Sequence, residues 1–329
     1  METHPLGGTS LQVTRMGLGL AALGRPGYIN LGHGDDLAHD YDLEAMETRA
    51  HVVLDAAWEA GVRYFDAARS YGRAEAFLAS WLDKRGHKDA LAGSKWGYTY
   101  TADWQIQAEA HEVKEHSLTV LNRQAEESRA LLKDHLALYQ IHSATLESGV
   151  LDNKEVLSRL AELKASGWCI GLSVSGAAQA EVIRKAMASS VDGQPLFDTC
   201  QATWNVLEVS AGEALQEAHE QGIGILVKEG LANGRLTSRN TTPAFSQKRS
   251  VLEGIAKRHG RTIDAVALAA VLAQPWAGVV LSGAAQSEHL QANLAALQLS
   301  LSSEELEQLQ TLEEPPEAYW QTRSALSWN

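Results

Sequence analysis

Cysteine is scarce in this chain of 329 residues, which contains only Cys169 and Cys200. The two lie in separate apolar segments, and neither belongs to a CxxC pair or to the cysteine–histidine spacing of a metal site. A disulfide scaffold and a bound metal are therefore not predicted. Because reduced cysteine behaves as a small hydrophobic side chain, we expect both residues to be buried free thiols.

Long hydrophobic runs and positive charge are also lacking. No apolar stretch approaches the ~18 residues of a membrane span. The opening METHPLGGTS does not pair a basic region with an apolar one, so no secretory signal is predicted and a cytoplasmic location is expected. Lysine and arginine total 28 against 41 aspartate and glutamate residues, a formal charge of −13. That sign repels nucleic acids and anionic membranes, and no obligate protein partner is evident.

Apolar residues, by contrast, make up 45% of the chain, enough for a large core. Strand-like runs alternate with segments of helical periodicity. The predicted strands are 16–21, 64–68, 90–96, 136–144, 169–175, 199–206, 224–230 and 277–284, and the predicted helices include 47–61, 122–134, 153–167 and 179–190. Alternation predicts a parallel sheet, and eight units close into a (β/α)8 TIM barrel. An open doubly wound sheet is the alternative. No segment resembles a linker, so residues 1–329 are expected to form one domain.

Some segments depart from this alternation. The N-terminal segment has Gly7-Gly8 as a turn signal and predicts a β-hairpin that caps the end of the barrel opposite the active site. Residues 24–46 and 97–117 are too long for ordinary loops, and as long βα loops they are expected to wall a pocket. GLGLAA (17–22) matches a dinucleotide-binding pattern, but glycine and proline follow where a helix would have to begin, so a Rossmann loop is not expected.

Polar residues fall late in several predicted strands, at the end where the active site of a barrel lies. They are Asp66, Lys95, His142, Ser173, Gln201 and Lys228. Tyr71 follows Asp66 in the stretch RYFDAARSYGRAE, within a loop that precedes a helix. Because neighbouring strands bring their ends together, we expect Tyr71 and the first three of these residues to share one pocket mouth.

These four side chains form a chemically coherent set. A tyrosine has a pKa of about 10, and a nearby ammonium is expected to make Tyr71 a better acid. Asp66 would anchor Lys95, since a buried unpaired ammonium costs several kcal/mol. His142 can orient a carbonyl oxygen. The set suits proton delivery to a carbonyl while a hydride reaches its carbon. Taken singly, each residue also fits a structural role as an ion-pair partner, a core histidine or loop packing.

The same segments resemble the aldo-keto reductase superfamily, especially its aldose-dehydrogenase-like branch. FDAARSYGRAEAFLASWL resembles the family's tyrosine signature, GSKWG its lysine strand and LYQIHS its histidine strand. The later segments IGLSVSG, CQATWNVLE, GIGILVKEGLANGRLT and LSGAAQSEHLQANLAAL also resemble family segments, in order from about residue 7 to residue 312. The resemblance implies a (β/α)8 barrel and NAD(P)H-dependent reduction of small aldehydes or ketones, or oxidation of the matching alcohols.

The resemblance also implies roles for individual residues. Tyr71 would be the general acid, tuned by Asp66 and Lys95, and His142 would position the carbonyl. A nicotinamide cofactor would lie across the strand ends, NADP by family default and NAD as the alternative. The residues implied to bind it are Ser173, Gln201, Lys228, Glu229, Leu231, Gly234, Gly283, Ala284, His289 and Asn293.

Two positions near the expected nicotinamide depart from the family pattern. Val174 stands where asparagine commonly follows the serine, so one amide contact is missing unless Ser175 supplies it. Lys228 replaces an aromatic residue that commonly stacks on the nicotinamide ring. Either its stem packs on the ring while Glu229 neutralises its charge, or it points outward.

The preference between NADP(H) and NAD(H) stays open at this stage. A 2′-phosphate is usually held by arginine or lysine. Ala285 and His289 stand at the two expected positions, and Ala292 replaces an acidic residue. Three arginines on other loops are candidate replacements: Arg235, Arg239 and Arg261.

Several aromatic residues are candidate pocket walls, unless they only pin the loops: Tyr28, Tyr98, Trp104 and Trp204. The tail, residues 317–329, either folds over the pocket or runs across the surface, and Trp320 favours a packed tail. Because this barrel also serves as a redox-reading subunit, a cofactor-sensing protein with little turnover is the alternative function. The four clustered residues favour the enzyme.

Overall fold

The computed structural model describes residues 1–329 and contains a closed barrel of eight parallel strands. The barrel strands are Met16–Gly19, Tyr64–Asp66, Leu91–Trp96, Leu136–Ala144, Cys169–Val174, Thr199–Thr203, Gly224–Lys228 and Val279–Ser282. They pair in chain order, and the eighth closes on the first with Val280 opposite Met16. The predicted (β/α)8 barrel is confirmed, and the open doubly wound sheet is excluded.

Helices carry the chain back between strands, which lets successive strands run parallel. The helices are His33–Asp36, Leu43–Glu59, Ala74–Arg85, Leu118–Leu132, Lys154–Ala165, Gln179–Met187, Gly212–Glu220, Ser246–His259, Ile263–Leu272, Ser287–Leu294, Ser303–Gln310 and Pro316–Ser324. Polar side chains cap the N-termini of several helices. Asp42, for example, accepts hydrogen bonds from the N–H groups of Glu44 and Ala45. No helix combines the length and hydrophobicity needed to cross a bilayer.

The amino-terminal end of the barrel is closed by the predicted hairpin. Thr3–Pro5 and Gln12–Thr14 pair antiparallel, and Leu6 between them packs into the barrel interior. Gly7 is left-handed, with φ of 57°, and a Cβ on it would lie 2.4 Å from the backbone nitrogen of Gly224. Glycine is required for the turn to approach the seventh strand this closely.

The opposite, carboxyl-terminal face carries the two long loops. Residues 97–117 form an antiparallel hairpin of Tyr98–Tyr100 and Glu112–Lys114, which the sequence analysis did not predict. Residues 24–46 contain the short helix His33–Asp36. The first barrel strand runs into turns rather than a helix, so GLGLAA is not a Rossmann loop.

Both cysteines are free thiols, as expected. Cys200 is buried in the sixth barrel strand. Cys169 is only partly buried and is the first residue of the fifth strand, at the amino-terminal edge of the barrel.

Gly24 lies against the loop that carries Tyr71, where there is no room for a side chain. A Cβ on residue 24 would lie 2.3 Å from the carbonyl oxygen of Tyr71 and 2.5 Å from the Cβ of Ala74. We expect Gly24→Ala to displace this loop and to lower the free energy of unfolding by about 1–3 kcal/mol, as overpacking usually does. Denaturant unfolding followed by tryptophan fluorescence measures the change.

Gly254→Ala is the matched control. Gly254 is an exposed residue inside the helix Ser246–His259, and no atom lies closer than 4.0 Å to a Cβ placed on it. Alanine there should stabilise the protein by roughly 0.5–1 kcal/mol, since glycine is a poor helix former. Equal stabilities for the two variants would contradict the close approach at Gly24.

Candidate active site

A cavity of about 490 Å³ opens at the carboxyl ends of the barrel strands, where the sequence predicts the site. Its walls come from the strand ends, the long loop 24–46, the segment 228–239 and the C-terminal tail. All of the predicted site residues except Lys95 and Ser173 line it: Asp66, Tyr71, His142, Gln201, Lys228, Glu229, Leu231, Gly234, Gly283, Ala284, His289 and Asn293.

Lys95 lies beneath the cavity wall and is completely buried. Its Nζ donates to the Asp66 carboxylate, to the carbonyl oxygen of Ala67 at 2.9 Å and to the Tyr71 hydroxyl at 3.4 Å. An unpaired ammonium in this position would cost several kcal/mol, so the carboxylate determines where the ammonium can lie. The structure therefore contains the predicted contact between residues 71 and 95.

The second carboxylate oxygen of Asp66 is held by three more side chains, including the Gln140 amide at 3.5 Å. It accepts hydrogen bonds from the Tyr64 hydroxyl at 3.1 Å and from the Gln201 amide at 2.9 Å. Asp66 pairs with Gly93 on the next strand, and a Cβ on residue 93 would lie 2.0 Å from the Tyr64 hydroxyl. Glycine at 93 thus leaves room for the hydroxyl that fixes Asp66.

Tyr71 is held between a cation and an imidazole. The Arg25 guanidinium carbon lies 5.2 Å from the centre of the Tyr71 ring, and His142 meets the ring edge-on with centroids 5.5 Å apart. The Ser70 hydroxyl lies 3.4 Å from Nδ1 of His142. The four residues predicted to be catalytic are therefore brought together at one end of the cavity.

The protonation of this cluster differs from the expectation. Burial and the charge of Asp66 raise the pKa of Tyr71 above its ordinary value. The expectation that Tyr71 is a better acid than an ordinary tyrosine is not met, because burial of the phenol and the charge of Asp66 outweigh the neighbouring positive charge. Burial and then the charge of Lys95 lower the pKa of His142 well below its usual range. At neutral pH the phenol keeps its proton and the imidazole is neutral.

Ser173 is buried and does not line the cavity. Its hydroxyl accepts a hydrogen bond from the backbone N–H of Ser143 at 2.8 Å. Ser143 has a left-handed backbone, with φ of 48°, and does line the cavity. Ser173 therefore supports a strained part of the wall, and the neighbouring Val174 packs in the hydrophobic core.

Lys228 faces the cavity, so the alternative that it points outward is excluded. Its Nζ donates to the Thr203 hydroxyl at 2.7 Å. Burial, opposed by the charge of Glu229, lowers the pKa of Lys228 to about 8. Burial also works against ionisation of Glu229, but the charges of Arg323 and Lys228 outweigh it and lower the pKa of Glu229 to about 2.

The C-terminal tail folds over the cavity instead of crossing the surface. Trp328 lines the cavity and stacks on His111 with ring centroids 3.8 Å apart. Asn329 exchanges backbone hydrogen bonds with Tyr28, at 3.2 and 3.3 Å. Arg323 donates to the Glu229 carboxylate, with the shortest contact at 2.5 Å. The tail is thus fastened to the loops on both sides of the cavity.

Arg25 is a cavity residue that the sequence analysis missed. It is 3% exposed, and its guanidinium donates to the Ser70 carbonyl at 3.1 Å and to the Glu112 carboxylate at 3.0 Å. It also lies 4.8 Å from the centre of the Trp328 ring. The turn-like sequence GRPG was visible, but nothing in it indicated that the arginine points inward.

Of the four aromatic residues predicted as candidate pocket walls, only one lines the cavity. Tyr28 lines the cavity, as proposed from the sequence. Tyr98 packs against the His142 ring at 4.8 Å. The two tryptophans lie outside the cavity wall: Trp104 donates to the Tyr41 carbonyl and Trp204 packs edge-on against Trp276.

The other end of the cavity has features that fit the nucleotide part of a nicotinamide cofactor. The Asn233 side-chain oxygen is buried without a partner, and such an acceptor is normally satisfied by a donor. Residue 283 is a glycine that faces open space. Asn293 donates to the Ser282 hydroxyl at 2.8 Å, which shapes the wall beside it.

The chain resembles known proteins along most of its length. The sequence model of the Aldo/keto reductase family matches residues 15–314. Aldo-keto reductase str7 of Strobilurus tenacellus is 26% identical, with 91% of this chain and 88% of that protein aligned. Protein tas of Escherichia coli (strain K12) is 24% identical, with 95% of this chain and 97% of that protein aligned. Aldo-keto reductase AKR11C1 from Bacillus halodurans, solved in its holo form, superposes with a TM-score of 0.75 at 22% identity, covering 96% and 97%. That structure shares the fold.

Lys228 makes the stability of the folded chain depend on pH. Between its folded pKa of about 8 and the unfolded value of about 10.4, the unfolded chain binds a proton that the folded chain has released. The free energy of unfolding should therefore rise with pH over this interval, on the order of 3 kcal/mol, and the gain is lost as the pH falls to 8. Lys228→Met should remove this rise, as measured by urea unfolding at several pH values.

The control for this experiment is Lys88→Met, which removes an exposed lysine. It should leave the pH dependence of the wild type unchanged. If the free energy of unfolding changes with pH in the same way for the wild type and Lys228→Met between pH 8 and pH 10, folding does not lower the pKa of Lys228.

Proposed function

The chain belongs to the aldo/keto reductase family, and from this premise we propose a reaction and the residues that perform it. The reaction is hydride transfer between NAD(P)H and the carbonyl of a small aldehyde or ketone, with Tyr71 as the general acid. In the reverse oxidation of an alcohol, Tyr71 is the general base. The observation that carries the proposal is the Tyr71 hydroxyl, which lines the cavity 3.4 Å from Nζ of the fully buried Lys95.

Tyr71 starts the reduction with its proton in place, because its pKa is raised. As the proton moves to the carbonyl oxygen, negative charge develops on the phenol oxygen. The hydrogen bond from Lys95 stabilises that charge, and Asp66 keeps the ammonium aimed at it. Such stabilisation is strong where water is excluded. Lys95 therefore acts mainly in the transition state and does not need to lower the pKa of Tyr71 beforehand.

His142 orients the carbonyl. Its imidazole is neutral and stands edge-on to the Tyr71 ring, so a ring N–H can donate to the same oxygen that receives the proton. Arg25, Tyr28 and Trp328 line the mouth around this point. The aromatic surface of Tyr28 and Trp328 suits a cyclic or sugar-like carbonyl compound.

NAD(P)H, when bound, supplies the hydride. Gln201 and Lys228 would hold its nicotinamide end, and the segment 229–234 would line the middle of its path. Gly283, Ala284 and Asn293 would hold the adenosine end, with His289 beside them. A charged Lys228 next to the ring opposes a cationic, oxidised nicotinamide but not a neutral, reduced one, which favours binding of the reduced cofactor over the oxidised one.

Tyr71→Phe tests the assignment of the acid. The variant keeps the ring that packs against Arg25 and His142 but has no proton to deliver. We expect kcat for reduction of a generic aldehyde to fall by about 10²–10⁴-fold, the usual contribution of a general acid. Dinucleotide binding, followed by quenching of tryptophan fluorescence, should change little. Absorbance at 340 nm follows turnover.

Tyr98→Phe is the matched control, since Tyr98 also packs on the His142 ring but does not line the cavity. It should keep most of the activity. Normal turnover by Tyr71→Phe would refute the assignment, and an equal loss of activity in both variants would mean that the effect is not specific to the Tyr71 hydroxyl.

A further inference from the structure

The cavity has two chemically different ends, and the second end bears on the choice of cofactor. Tyr71 and His142 mark the first end. If the nicotinamide lies there, as the proposed function requires, the adenosine ribose must lie at the other end. That end is lined by Asp36, Arg239, Asp264 and His289. The charges there decide whether a ribose 2′-phosphate can be accommodated.

Arg239 is held by the long loop 24–46 through both Nη atoms. Its guanidinium binds both carboxylate oxygens of Asp36, and it also donates to the carbonyl oxygens of Leu31 and Gly32, each at 3.0 Å. The Asp36 side chain is 3% exposed. A phosphate that took the Nη atoms of Arg239 would leave a buried carboxylate unpaired, which is strongly destabilising.

Asp264 adds a second carboxylate to this end. It lies in the first turn of the helix Ile263–Leu272, is half-buried and lines the cavity. It forms no ion pair: Arg239 and His289 contact Asp36 instead, with His289 Nδ1 at 3.7 Å. A phosphate placed here would face this carboxylate as well as that of Asp36.

Of the remaining arginines named as candidates, Arg235 is committed elsewhere, and the exposed Arg261 lies in a recess beside the cavity. Arg235 donates to both oxygens of Glu314, at 2.7 and 2.8 Å. Arg261 reaches the Gln298 side chain at 3.3 Å and does not line the cavity. Of the cations that line the cavity itself at this end, Arg239 and His289 both face Asp36, so a 2′-phosphate, which carries about −1.5 to −2 charges at neutral pH, would meet two carboxylates and no unpaired cation on that wall.

We infer that the Asp36–Arg239 pair and the unpaired Asp264 select a ribose with a free 2′-hydroxyl, so that this chain uses NAD(H) in preference to NADP(H). A carboxylate accepts hydrogen bonds from a ribose diol, whereas it repels a phosphate. The inference rests on the proposed function, since it requires a nicotinamide dinucleotide in this cavity. It departs from the NADP default that the family resemblance implies.

Binding measurements test the inference without turnover. We expect NADH to bind at least about tenfold more tightly than NADPH by titration calorimetry, because one contact to a charged group is worth that much. The fragments 5′-AMP and 2′,5′-ADP isolate the adenosine end and should differ in the same direction. Asp264→Asn should reduce the ratio of the NADH affinity to the NADPH affinity severalfold. Asp36→Asn should also reduce this affinity ratio, because it releases Arg239.

Asp89→Asn is the control, because it removes an exposed carboxylate elsewhere and should leave the ratio unchanged. Tighter or equal binding of NADPH by the wild type would overturn the inference and leave the proposed function standing. An unchanged ratio in Asp264→Asn would overturn the role of Asp264. Failure to bind either dinucleotide would overturn the proposed function together with the inference.

Discussion

The buried ion pair between Lys95 and Asp66 is the constraint on which the rest of the site depends. Both side chains are almost without solvent contact, so neither can lose its partner cheaply. The pair joins the second and third barrel strands just where Asp66 pairs with Gly93. Gln201, from the sixth strand, adds a bond across the barrel interior. The position of the proton donor is thereby tied to the register of the whole barrel.

The long loops and the tail depend on one another in the same way. Asp36 holds Arg239, Asn329 pairs with Tyr28, and Arg323 bridges to Glu229, which has a left-handed backbone with φ of 55°. A non-glycine residue keeps such a conformation only when its surroundings enforce it. The carboxylate bonds to the tail provide that enforcement. The cavity walls are therefore one polar network, in which losing one partner leaves another buried and unsatisfied.

The sequence was sufficient for the barrel and for the cluster at its strand ends, because both follow from local pattern. Alternating segments predict parallel strands, and parallel strands bring residues such as Asp66, Lys95 and His142 to one face. Arg25 and Asp36 could not be predicted, since their partners lie far away along the chain and their own loop has no periodicity. The hairpin of Tyr98–Tyr100 and Glu112–Lys114 was missed because its strands have only three residues and the segment between them has no turn signal like Gly7-Gly8 of the N-terminal hairpin.

The error about the acidity of Tyr71 shows why a list of neighbouring residues does not determine a pKa. The expectation counted the ammonium of Lys95 and treated Asp66 only as its anchor. In the folded chain burial of the phenol, and then the charge of Asp66, raise the pKa of Tyr71 and outweigh the neighbouring positive charge. A pair that is nearly neutral before the reaction can still stabilise charge that appears during it, because only the ammonium points at the phenol oxygen. The orientation of the pair, more than its net charge, therefore makes it useful for proton transfer.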